Sequence, residues 1–192
     1  MKNGLAPLSA VNRIPTLGGL IFKLMEQKIQ SLKELYEKDF YLWVQENLKL
    51  LKNREYDLVD WENLLEEIED MGQRHYDAMV SYMAVIMEHI YKWENYRESA
   101  YMGSRWKKST INARTKMLKL FKGAPSLKAK AQEKETLQRA WEDAVLDLIA
   151  WFKVNEKLAH RHFGRLPTEK DFPKECPYSF QQIMEYEPWL KE

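Results

Sequence analysis

Between Trp61 and Trp93, apolar residues recur at helical spacing without a proline, and this stretch constrains the fold more than any other. An apolar residue at every third or fourth position places these side chains on one face of an α-helix. One helix of about 38 residues, about 57 Å long, would accommodate the whole stripe. Gly72 lies on the stripe. It predicts the close approach of another helix, with a local kink as the alternative.

Other stretches of the chain have the same spacing, with recognisable signals at their ends. Ser31 and Glu34 form a capping-box pattern that predicts a helix start, and Gly164 and Pro167 are typical of a helix stop. Ser179 is expected to cap a short C-terminal helix. No stretch shows strand alternation with hairpin turns, so the sequence predicts an all-α fold: an antiparallel bundle of four main helices with a short C-terminal helix. The further main helices are predicted over 31–52, 105–122 and 137–163, with a turn over 53–57 after the first of them.

The chain has 192 residues, 45% of them hydrophobic and 31% charged, which is typical of a globular protein with one core. We expect a single helical-bundle domain over 31–192 and a loosely ordered tail over 1–30. The single cysteine, Cys176, excludes an internal disulfide and favours a reducing, cytoplasmic location. No apolar run approaches the roughly 20 residues that span a bilayer, so no membrane association is expected.

Charged residues are segregated by sign. Seven acids and no base lie between Asp57 and Asp70, and seven bases and no acid lie between Arg105 and Lys122. The net charge of +1 therefore hides two surfaces of opposite sign. If the two helices formed a simple antiparallel hairpin, the basic segment would end roughly 18 Å short of the acidic one. The two surfaces are thus not expected to satisfy each other fully within one chain.

Five short motifs occur in the order of a known family, at 36–43, 64–72, 89–93, 106–111 and 172–179. On these motifs the sequence resembles, over about 35–183, the bacterial domain-of-unknown-function family 29, which is common in cyanobacteria. The resemblance implies a small α-helical protein of the bacterial cytoplasm and supplies no reaction.

Glu66, Glu69 and His89 are the candidate functional acids and histidine. The known di-iron bundles combine such glutamates with Glu-x-x-His motifs, which this chain lacks, so neither a metal nor a cofactor is predicted. In a straight helix His89 would lie roughly 30 Å from Glu69, and a core histidine bonded to a neighbour is the favoured explanation, with a proton-transfer residue as the alternative. No catalytic residue is assigned. An enzyme would need these three residues brought together across a dimer or a broken helix.

The basic segment supplies the candidate residues for binding an anion or a partner, which are Arg105, Trp106, Lys107, Lys108 and Arg114. Its charges could pair within the monomer or face water. They could also contact an unknown protein partner or a second copy in a two-fold homodimer, which makes an interaction module the favoured function. Nucleic-acid binding is the alternative, because Trp106 beside the bases offers a ring for stacking and charges for phosphates.

Overall fold

The computed structural model describes residues 17–99 and 101–190, which form eight α-helices and no strand. The predicted all-α fold is confirmed, while the antiparallel order of four main helices stays a prediction. The helices are α1 (Leu17–Lys38), α2 (Phe40–Asn53), α3 (Trp61–Asn95), α4 (Ser104–Gly123), α5 (Ser126–Lys130), α6 (Lys134–Val154), α7 (Glu156–Phe163) and α8 (Phe180–Glu185). No helix in this part of the chain is long and apolar enough to cross a membrane.

Contacts group the chain into two compact units, the first ending at Asp70 and the second beginning at Met71. The single domain expected over 31–192 stays a prediction. In the first unit, α1, α2 and the first turns of α3 enclose a small core of Leu32, Trp43, Leu50 and Val59. Trp43 anchors it, since its ring is 1% exposed and its Nε1 donates to Asp60 Oδ2 at 3.0 Å.

Helix α1 begins at Leu17, inside the segment predicted as a loosely ordered tail. The apolar spacing that buries Leu32 continues back through Ile29, Met25 and Ile21, so the helical stripe extends across Ser31. Ser31 therefore lies inside a helix, and the capping box predicted there is wrong. Residues 1–16, the rest of the predicted tail, lie outside the described residues.

The helix predicted over 31–52 is interrupted at Asp39, whose φ of −152° and ψ of 83° are not helical. Its carboxylate accepts a hydrogen bond from the backbone N–H of Leu42 at 3.0 Å and so caps the start of α2. At the other end, Arg54 adopts a left-handed conformation and donates its N–H to the last carbonyls of α2.

The second unit has the larger core, to which α3, α4, α6, α7 and α8 all contribute. Met79, Met83, Met87 and Met117 form much of its centre and are fully buried. Trp141 on α6 is 1% exposed, and its Nε1 donates to the carbonyl of Pro173 at 2.8 Å. That bond ties the C-terminal segment to the helical core.

Most predicted helix ends in this unit agree with the structure. Helix α4 extends one residue beyond each predicted end, and Gly164, with φ of +69°, caps α7. Ser179 and Gln182 form a capping box that begins α8. The single helix predicted over 137–163 is wrong at one point, because the non-helical backbone of Asn155 separates α6 from α7.

Helix α3 is continuous through Gly72, which the sequence allowed but did not decide. The close approach predicted at Gly72 is wrong. Among the described residues, and apart from the nearby backbone of α3, no atom lies within 4 Å of where a Cβ at this position would be. Close approach occurs instead at Gly103, before α4, where a Cβ would lie 2.6 Å from the ring of Trp93.

Candidate functional site

Part of the acidic segment serves the fold. Asp60 is fully buried and accepts hydrogen bonds from Trp43 Nε1 and from Asn63 Nδ2. Glu62 pairs with Lys33, and Glu67 accepts a hydrogen bond from the hydroxyl of Tyr36 at 2.9 Å. That hydrogen bond is the main reason why the pKa of Tyr36 is raised to about 12. These three carboxylates have partners within the first unit.

The candidate acids Glu66 and Glu69 are different. Both are exposed, and neither carboxylate has an ion-pair or hydrogen-bond partner in the part of the chain that the structure describes. Beside them, Trp61, Leu65 and Ile68 are 44%, 59% and 56% exposed. Their i, i+4, i+7 spacing places them on one face of α3. The first turns of α3 thus combine an exposed apolar ridge, formed by Trp61, Leu65 and Ile68, with unpaired negative charge.

Helix α4 has the opposite charge and a similar exposed apolar pair. Ile111 and Leu118 are 42% and 60% exposed. They are seven residues apart and therefore lie on one face of α4, whose other side is buried. Six bases of α4 are largely exposed, and none forms an ion pair with a carboxylate of the described residues. They are Arg105, Lys107, Lys108, Lys116, Lys119 and Lys122.

The candidate Arg114 is not part of this exposed surface. It is 7% exposed, and its guanidinium donates to the carbonyls of Ile183 at 2.8 Å and Tyr186 at 2.6 Å. Burial lowers its pKa, against the opposing effect of Glu187. Arg114 therefore satisfies the last carbonyls of α8, which is a structural role. The sequence could not show this structural role, because no local pattern reveals that α8 lies against Arg114.

Trp106, the ring predicted to stack on a base or a partner, is half-buried. It packs edge-to-face on Trp151 with ring centroids 5.7 Å apart. Lys107 Nζ lies 5.6 Å from the ring centroid of Trp189, while its side chain remains exposed. Arg105, Lys107 and Lys108 are therefore available to a partner, whereas much of the Trp106 ring is covered.

The third candidate, His89, has different surroundings from Glu66 and Glu69. Its charged neighbours are Glu88 and Lys92. Glu88 Oε2 lies 3.4 Å from His89 Nδ1, but without hydrogen-bond geometry, so this buried nitrogen has no partner in the described residues. Burial, with a smaller effect of the Lys92 charge, lowers the pKa of His89 to about 4. The imidazole is therefore neutral near pH 7.

Sequence reasoning did not identify the buried ion pair between Glu88 and Lys92, which are 8% and 3% exposed. Burial lowers the pKa of Lys92 while Glu88 opposes that change, and Lys92 Nζ lies 4.5 Å from the ring centroid of Trp151. Burial and the Glu88 charge raise the pKa of the nearby Asp147. The i, i+4 spacing of Glu88 and Lys92 was the one available signal, but such pairs usually lie on exposed helix faces.

This cluster offers a neutral imidazole, an ammonium and carboxylates, which are groups that proton transfer uses. None of the described cavities is lined by Glu88, His89 or Lys92. Within 17–99 and 101–190, no group of three or more His, Cys, Asp or Glu is arranged to hold a metal ion. The exposed faces of α3 and α4 are therefore the stronger candidates for a functional surface.

Comparison with known proteins gives a family and no activity. Residues 35–189 match the family described as "Domain of unknown function DUF29". No curated protein and no solved structure matches the chain. Because the match covers most of the sequence, including α2 to α8, the chain belongs to the DUF29 family.

Proposed function

We propose that this protein is a protein–protein interaction module that associates with a second copy of itself through two oppositely charged helix faces. The acidic face consists of Trp61, Leu65, Glu66, Ile68 and Glu69 on α3. The basic face consists of Lys107, Lys108, Ile111, Leu118 and Lys122 on α4. In a two-fold dimer, the acidic face of each copy would contact the basic face of the other, which gives two identical contacts.

The observation that carries this proposal is that each face joins exposed apolar side chains to unpaired charges of one sign. Leu65 and Leu118 expose 59% and 60% of their surface, one on each face. Apolar surface supplies affinity when it is buried, and complementary charge selects the partner and speeds the encounter. A second copy supplies both complementary surfaces at once, so it is the occupant that these charges favour.

Sedimentation velocity at increasing protein concentration tests the proposal, at low salt (about 50 mM) and high salt (about 500 mM). Glu66→Lys with Glu69→Lys reverses the acidic face, and Lys108→Glu with Lys122→Glu reverses the basic face. We expect each double variant to self-associate at least about tenfold more weakly than the native chain at low salt. Mixed together, the two variants carry complementary faces again, and association should return.

A matched control is Lys153→Glu with Lys157→Glu, since these exposed bases lie near the junction of α6 and α7. It should associate like the native chain, and circular dichroism should report equal helicity for every variant. A native chain that stays monomeric at low salt contradicts the proposal, as does a double reversal that leaves association unchanged. Salt-sensitive binding of labelled DNA or RNA by a monomeric chain would favour the nucleic-acid alternative instead.

A further inference from the structure

The basic face of α4 borders a groove whose other wall is α8. The groove encloses about 670 Å³. Its apolar lining comes from both helices: Ile111, Leu118 and Phe121 on α4, and Phe180 and Met184 on α8. Phe121 is 8% exposed and forms the floor, whereas Ile111 and Leu118 expose their side chains at the rim.

We infer that this groove is the seat for the apolar ridge of Trp61, Leu65 and Ile68 from a second copy. The inference rests on the proposed function and specifies where the two copies meet. A helix that binds in an apolar groove inserts side chains at i, i+4 and i+7, which is the spacing of the ridge. Its three side chains span about 10 Å along α3, and the wall from Ile111 to Phe121 spans about 15 Å along α4, so the ridge fits within the groove.

Charge distinguishes the two walls of the groove. The α4 side carries the unpaired bases of the basic face. Lys128, on α5, is a further base that lines the groove. The α8 side carries Glu185 and Glu187, and Glu187 lies 3.9 Å from Arg114. The ridge has Glu66 and Glu69 along one flank and Leu64, half-buried against the first core, along the other. The seat therefore fixes an orientation in which Glu66 and Glu69 face α4 and not α8.

Complementation between two apolar variants tests this seat. Leu65→Asp disrupts the ridge, and Leu118→Asp disrupts the groove. Both leucines are about equally exposed, so neither change should unfold the chain. Each variant alone would have no intact contact in a two-fold dimer, and we expect its self-association at low salt to weaken at least about tenfold. A mixture of the two restores one intact ridge and one intact groove, so it should associate more tightly than either variant alone.

Leu146→Asp is the matched control, because Leu146 on α6 is 54% exposed and does not line the groove. It should associate like the native chain. If the native chain associates in a salt-dependent way but Leu65→Asp and Leu118→Asp do so equally well, the groove is not the seat and the charged faces still stand. If the mixture associates no better than its components, the ridge does not enter the groove. A native chain that remains monomeric overturns both proposals.

Discussion

At the scale of single residues, the sign of a charge did not reveal the role of the side chain. Arg114 belongs to the basic segment and Asp60 to the acidic one, yet both are buried and satisfy hydrogen bonds of the fold. Lys108 and Glu66 come from the same segments and are exposed. Arg114 contacts carbonyls about 70 residues away in the sequence, so no local pattern could have separated it from its neighbours.

His89 illustrates how burial changes a candidate residue. Its imidazole is mostly shielded from water, and Lys92 disfavours a second positive charge nearby. The carboxylate of Glu88 is already paired with Lys92. The pKa of His89 is therefore lowered to about 4 in the folded chain, whereas an unfolded histidine has a pKa of about 6.5.

This difference predicts a pH-dependent stability. Between about pH 4 and 6.5 the unfolded chain binds more protons at His89 than the folded chain, so the free energy of unfolding rises with pH in this window. Above about pH 6.5 the contribution of His89 to that free energy no longer changes. We expect acidification through that window to cost on the order of 2–3 kcal/mol at this residue. Urea unfolding at several pH values, compared with His89→Gln, measures the contribution.

The exposed His75 on the same helix supplies the control, because His75→Gln should keep the pH dependence of the native chain. The His89→Gln variant should lose most of the slope between pH 4 and 6.5. Equal slopes for native and His89→Gln chains would mean that the imidazole is not desolvated.

At the scale of helices, the spacing of apolar residues predicted where helices form but not which of their apolar faces are buried. The apolar stripe of α3 has the same spacing in its first turns and in its last turns, and the structure forms one continuous helix over it. However, Leu65 and Ile68 at the front are exposed, whereas Met79 and Met83 at the back are fully buried. Periodicity identifies the apolar face of a helix. It does not show whether another element covers that face, which is why the exposed ridge was not predicted.

Gly72, inside α3, and Gly103, just before α4, give predictions of opposite sign. Gly72→Ala should raise the free energy of unfolding by about 0.5–1 kcal/mol, because alanine favours a helix and the position has open space. Gly103→Ala should lower it by more than about 1 kcal/mol, because φ is +106° and the new Cβ would lie 2.6 Å from the Trp93 ring. Chemical denaturation measures both changes.

The pair serves as its own control, since the same methyl group is added in each variant. Destabilisation by Gly72→Ala would mean that another element does approach α3 there, as first predicted from the sequence. Neutrality at Gly103 would mean that the turn between α3 and α4 relaxes readily.

At the scale of the whole molecule, the two units differ in the size of their cores. Among the residues that the structure describes, the first unit encloses four buried apolar residues, and the second encloses a much larger set from five helices. Small cores bury less apolar surface per residue and open more readily. The sequence predicted a single domain because a chain of this length commonly has one core.

Hydrogen exchange followed by mass spectrometry should therefore separate the units. We expect the backbone amides of α2, in the first unit, to exchange faster than those of α6, in the second, when both are compared well inside the helix. Local opening of the smaller core explains the difference. Exchange at equal rates in α2 and α6 would indicate that the two units open together as one cooperative structure.

The four fully buried methionines of the second unit, Met79, Met83, Met87 and Met117, make its interior adaptable. A thioether side chain is unbranched and has more rotatable bonds than leucine or isoleucine, so it can adjust when a neighbour changes volume. Substitutions beside these methionines can therefore be absorbed by side-chain movement while the backbone stays the same. Gly103 has no such tolerance, because a side chain there would meet the ring of Trp93.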